Sequence, residues 1–266
     1  MLNYIKADLF RFRKSKAMKI LIAISTICAV VVIFMSRMIQ EGKISVKTGN
    51  GVIFLFSDAN VISILGAVAA GIFICGDFDN RMIHEAVANG CSRGQVIISK
   101  TISFCLAIVF ILLPYIILIS IGLGTGYKFS MGTMSVGFMN VLTTEAGKSF
   151  SQAGILKIIA IMAALTAVYI GMLSVSIPIA IILKKPVIVV AVYYAIIIVS
   201  TNLSALKDSS KVVKAVFNST PFGPKYSFLT LRSTNEDILK AFLVSLMFTA
   251  VMVIITYFGF RKSEIK

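Results

Sequence analysis

This 266-residue chain is poor in the residues that carry out chemistry. It has one histidine, His84, so it cannot supply a zinc site of the HExxH kind, which needs two on one helix face. No GxSxG elbow presents a nucleophile to His84. The four cysteines, Cys28, Cys75, Cys91 and Cys105, form no CxxC pair and no metal-ligand spacing, so neither a disulfide framework nor a thiolate metal site is implied. They read as small apolar side chains. Gly147-Lys148-Ser149 ends like a phosphate-binding loop, but the first glycine of GxxxxGK[ST] would fall at Leu142. Acidic residues number only 11, and almost none lies inside an apolar run, where an ion-coupled carrier would need one. No cofactor is implied, and the chain is read as non-catalytic.

Apolar residues make up 58 % of the chain, and the mean hydropathy is +0.95. The excess is concentrated in runs of about 20 residues, the length needed to cross ~30 Å of hydrocarbon. The expected fold class is therefore an all-α membrane protein. Six transmembrane helices are expected near 17–36, 58–75, 101–122, 155–183, 187–203 and 239–260, in one domain covering 1–266. The first run has a basic start like a signal peptide. It is longer than an ordinary h-region and exits through SRMIQEG without a small-x-small site, so it reads as a retained anchor. Gly66, Ala67, Ala70 and Gly71 give the second run a small-xxx-small face for close helix packing. Pro114 and Pro178 predict kinks in the third and fourth.

The formal charge of +15 comes from 26 Lys and Arg. These residues lie largely beside the ends of the apolar runs, where they meet lipid headgroups, so nucleic-acid binding is not implied. Four polar stretches, 1–16, 76–100, 184–186 and 261–266, are short or basic; counted with Lys19 they hold 14 of the 26 cations. The longer stretches 37–57, 123–154 and 204–238 hold the other 12, counted with Lys157 and Lys240 at neighbouring span mouths. The denser set is expected on the inside, which puts both termini in the cytoplasm of a cell membrane. The basic stretch 204–238 fits this least well. Asp58 and Lys157, at the mouths of the second and fourth spans, are expected to anchor at the interface.

Two polar stretches carry further pattern. In 1–16, Leu2, Ile5, Leu9 and Phe12 form one helical stripe, so an interfacial helix is expected there. In 76–100, Phe78, Met82, Ile83 and Val87 predict an apolar helical face over about 79–88, bordered by Asp77, Asp79, Arg81 and Glu85. Asn89-Gly90 is a helix stop. A short amphipathic helix tied to two spans is suited to seat in a groove on a soluble partner, or else to cap the bundle.

The order of parts resembles an ABC-2 type permease, the membrane subunit of a bacterial ABC exporter, and is similar in kind to permeases of peptide-antibiotic immunity and bacitracin export. The resemblance rests on an N-terminal elbow, six spans and a coupling helix between spans two and three. In that loop, Gly76-Asp77-Phe78, Asn89-Gly90-Cys91-Ser92-Arg93 and Ser99-Lys100 follow the family's pattern. A re-entrant hairpin before the last span would use Val212, Val213, Val216 and Phe217 with Pro221 and Pro224. The resemblance implies two permease copies, or a copy and a paralogue, in a lipid bilayer, with separate ATP-binding cassette ATPase subunits docked on the coupling helices. Phe78, Met82, Ile83 and Val87 would be buried against the ATPase, Arg81, His84 and Glu85 would set its register, and Gly90 and Arg93 would fix the turn. Hydrophobic or amphipathic cargo, such as antimicrobial peptides or lipids, suits a bundle lined by Ile, Val, Met and Phe. The competing expectations are an ion-coupled secondary transporter and an intramembrane enzyme.

Overall fold

The computed structural model describes residues 2–45, 55–131, 135–205 and 211–262. The parts of the polar stretches at 46–54, 132–134, 206–210 and 263–266 lie outside them. Among the described residues every element is helical. Six rods are long and apolar enough to cross a bilayer: α2 Lys16–Gln40, α3 Asp58–Asp79, α5 Arg93–Gly124, α7 Gln152–Leu183, α8 Pro186–Ala205 (apolar through Leu203) and α11 Asn235–Lys262 (apolar through Arg261). The remaining helices are α1 Leu2–Lys14, α4 Met82–Ala88, α6 Gly137–Glu145, α9 Lys211–Asn218 and α10 Pro224–Ser227.

All six expected spans are present, and their apolar centres lie where hydropathy puts them. Their ends run further, because helices stop where backbone groups find partners rather than where hydrophobicity falls. Ser15 starts α2 by accepting from the Met18 amide, and Ser151 starts α7 by accepting from the Gly154 amide. Ser92 and Gln95 form a reciprocal capping box that starts α5 eight residues before its expected membrane entry.

Near each proline, serine hydroxyls bond helix carbonyls. In α5, the Ser25 hydroxyl donates to the Ile111 carbonyl at 2.6 Å, one turn before Pro114. In α7 the helix breaks at Val175, three residues before Pro178, and Ser174 and Ser176 turn their hydroxyls back onto Gly171 and Leu173. Such back-bonding supports a bent helix where water is absent. α3 contains a π-helical turn at Gly71–Cys75 before its last turn, Gly76–Asp79.

Rods α3, α5 and α7 form the centre, with 72, 50 and 56 % of their apolar windows buried within the chain. Rods α2, α8 and α11 are peripheral, at 33, 11 and 17 %. Association inside a bilayer rests on close packing rather than on water exclusion. The glycines show this directly: a methyl at Gly66 would enter the Leu173 side chain of α7. One at Gly71 would press on Pro186 at the start of α8, 3.0–3.3 Å away.

An even number of crossings puts both described ends on one face, here the near face, with α1, α4 and the Lys184-Lys185 turn. The far face carries α6, α9, α10 and the 228–234 loop.

Candidate functional site

The near face is built around a buried ionic cluster. Asp8 of α1, Asp77 in the last turn of α3 and Lys100 in α5 are all nearly inaccessible. The Lys100 ammonium lies 2.8 Å from both carboxylate oxygens of Asp8 and 2.5 Å from Asp77 Oδ2. The Arg11 guanidinium pairs with Asp77 and lies 3.8 Å from Asp8. Ser103 adds a hydroxyl to Asp8 at 3.3 Å. Two cations and two anions balance, which is what allows four charged groups to share a poorly hydrated place. The cluster joins the N-terminal helix, the second rod and the third. Phe12 of α1 packs edge-on against Phe73 of α3, 4.2 Å between ring centres, beside it.

The chain then turns sharply. Asp79 ends α3, and Arg81 adopts a left-handed conformation (φ 56°). That single residue resets the helical phase before α4 begins at Met82. α4 closes in a Schellman arrangement, with the Cys91 amide on the Ala86 carbonyl (3.0 Å) and the Gly90 amide on that of Val87 (3.1 Å). Gly90 has φ +87°, the conformation that favours glycine at this cap. Arg93 then donates to the Phe260 and Arg261 carbonyls, at 3.3 and 3.0 Å, tying the start of α5 to the end of α11.

The predicted docking residues do not share one outward face. Phe78, at the end of α3, is buried beside Phe260, edge-on with ring centres 6.2 Å apart, under the Lys184 ammonium. Ile83 is buried with Ala86 in this chain's own core. Only Met82 of the expected apolar quartet is exposed, and Val87 and His84 are half-buried. Arg81, Glu85 and Gly90 are exposed, and Arg93 is half-buried against α11. The expected apolar helical face is therefore corrected: the exposed residues here are Arg81, Met82 and Glu85, flanked by Asp79, Asn80, Asn89 and Gly90. The expected continuity failed because the left-handed Arg81 puts Phe78 and Ile83 on separate helices.

The α1 stripe keeps its expected form where it is described: Phe12 is buried, Ile5 and Leu9 are half-buried, and Lys6, Arg13 and Lys14 are exposed. Sequence reasoning did not find the ionic cluster. Its signals were Asp8, the lone acid in a basic helix, and Lys100, a cation immediately before the third apolar run.

On the far face Asp58 is fully buried rather than interfacial. Its Oδ2 accepts from the Tyr169 hydroxyl (2.8 Å) and the Phe138 amide (2.6 Å), which holds α6 on the bundle. Buried Glu145 accepts from the Leu231 amide at 3.1 Å and from Lys148 at 2.8 Å, and Lys157 donates to the Leu231 carbonyl at 2.8 Å. Both sets of contacts fasten loops over rod ends. Among the described residues no group of three or more His, Cys, Asp and Glu is placed to hold a metal ion. Searches against protein-family models and against curated proteins found no match to this chain.

Proposed function

We propose that this chain is the permease subunit of an ATP-driven ABC exporter of the ABC-2 type, moving a hydrophobic or amphipathic substrate out of the cell or membrane. The observation that carries this reading is α4: a short helix between the second and third rods, exposing Arg81, Met82 and Glu85 and anchored at both ends. Behind it, the Asp8–Asp77–Lys100–Arg11 cluster and the Arg93 contacts bind α1, α3, α5 and α11 into one unit. A push on α4 is thus passed to several rods together. Among the described residues, charged side chains in the rods sit near their ends rather than in the middle of the bundle, where an ion-coupled carrier would place one. Work would arrive from nucleotide binding on a separate subunit that favours one arrangement of the rods over the other.

In this reading α1 is the elbow helix, α4 is the coupling helix, and the near face with both termini is cytoplasmic, in a bacterial cell membrane. The chain pairs with a second copy or a paralogue. Peripheral rods such as α8, with 11 % of its window buried, leave apolar surface for a partner or for lipid.

The test is purification from the native membrane in mild detergent. A nucleotide-binding subunit should co-purify in fixed ratio, and the charge swap Arg81→Glu/Glu85→Arg should weaken that ratio while the chain still inserts. Cargo movement by the purified chain alone on an ion gradient would replace this reading with a secondary carrier.

A further inference from the structure

The far face carries a feature that the permease reading leaves unused. A cavity of about 550 Å³ lies where α10 and the 228–233 loop meet the first turns of α11. Lys225, Lys240 and Asp237 line it with Tyr226, Phe228 and Leu229. The volume suits a small ligand or a lipid headgroup.

Asp237 shares the wall with Lys225 and Lys240 and offsets part of their charge, which leaves the lining with one net positive charge. One Asp237 oxygen, Oδ2, is engaged by the Thr234 amide (3.2 Å) and hydroxyl (2.6 Å), capping α11. The Tyr226 hydroxyl donates to the Asn218 carbonyl at 2.5 Å, and burial pushes its phenol above the ordinary value. Lys240 has one neighbour outside the cavity, Glu236 at 3.5 Å, with both side chains largely in solvent. Such an exposed pair holds its partners weakly. The wall therefore offers two ammonium groups and one carboxylate above an aromatic and aliphatic floor.

Depth decides between a dissolved anion and a lipid. Lys240 lies about 7–8 Å along α11 from Asn235, at 1.5 Å per residue. Its neighbours on the rod, Leu239, Leu243 and Met247, are 48–69 % exposed, so the rod faces hydrocarbon from that level onward. An ammonium at that boundary stands at the height of lipid phosphates.

We propose that this cavity binds the phosphodiester headgroup of an anionic phospholipid, with Lys225 and Lys240 on the phosphate and Phe228 and Leu229 beneath it. The site stands independently of the ATP-driven reading and is measured on the chain alone, so either can fail without the other.

Native mass spectrometry of the full chain in detergent, titrated separately with phosphatidylglycerol, phosphatidylcholine and sn-glycerol 3-phosphate, tests it. One phosphatidylglycerol should bind at least about tenfold more tightly than phosphatidylcholine, and glycerol phosphate should compete poorly. Lys225→Gln/Lys240→Gln should erase that preference. Lys225→Arg/Lys240→Arg should keep it, as should Lys128→Gln elsewhere on the far face. Because both lysines are exposed, the double Gln variant is expected to fold, and unchanged elution in size exclusion confirms that. Equal binding of the two lipids, an unchanged preference in the double Gln variant, or glycerol phosphate binding as tightly as the lipid would overturn the proposal.

Discussion

Replacing Lys100 by methionine removes the buried cation that lies within 3 Å of both carboxylates of the near-face cluster. Side-chain exposure is 5 % for Lys100, 7 % for Asp8 and 2 % for Asp77, against 28 % for Arg11. At 2.8 Å and an effective dielectric near 20, each ammonium–carboxylate contact gains about 6 kcal/mol before desolvation is subtracted. Burial cancels much of that gain in the intact cluster. Removing Lys100 alone leaves two carboxylates and only the half-exposed Arg11, and uncompensated buried charge of this kind costs about 3–5 kcal/mol. Arg11→Met should cost less, about 1 kcal/mol, because water reaches its site. The triple variant Asp8→Asn/Asp77→Asn/Lys100→Met removes the charges together and should recover most of the loss. Equilibrium unfolding of the purified chain in mixed micelles, read by helical circular dichroism, gives the ordering. A Lys100→Met variant within about 0.5 kcal/mol of the parent, or a triple variant as unstable as the single, would refute the cluster as a load-carrying joint.

Other outcomes follow from particular contacts. Phe78→Asp and Ile83→Asp should lower thermal stability strongly and reduce yield, since both side chains are buried within the chain, whereas Met82→Asp should leave stability within about 1 kcal/mol; equal melting of all three would contradict the inward placement. Gly137→Ala should destabilise the far-face cap, because φ there is +64° and the added methyl would strike Tyr169 and Asp58; faster hydrogen exchange at 137–145 is the readout. Ser92→Ala should cost about 1 kcal/mol through the loss of the capping box at the start of α5, seen as fraying at residues 93–96.

The six rods were legible in the sequence because a membrane-length apolar run has few alternatives once backbone groups must be satisfied without water. The loop between the second and third rods was legible as a place and not as a surface. Phe78, Met82, Ile83 and Val87 fit one helical stripe only if the helix is continuous through residue 81. A left-handed arginine leaves no compositional trace, since φ above zero is ordinarily signalled by Gly or Asn. The ionic cluster was hidden for a different reason. Asp8 and Lys100 are 92 positions apart, and each alone reads as an ordinary interfacial charge. Asp58 was misjudged in the same way, because its partners Phe138 and Tyr169 lie 80 and 111 positions away.

In the proposed function, force enters through α4 from a separate nucleotide-hydrolysing subunit. A photo-crosslinking amino acid at Glu85, activated in native membranes, tests this directly. One dominant protein adduct is expected, an ATP-binding subunit, with a yield that changes when hydrolysis is trapped by vanadate. Adducts to lipid only, or labelling of position 85 by an impermeant reagent added outside intact cells, would contradict it.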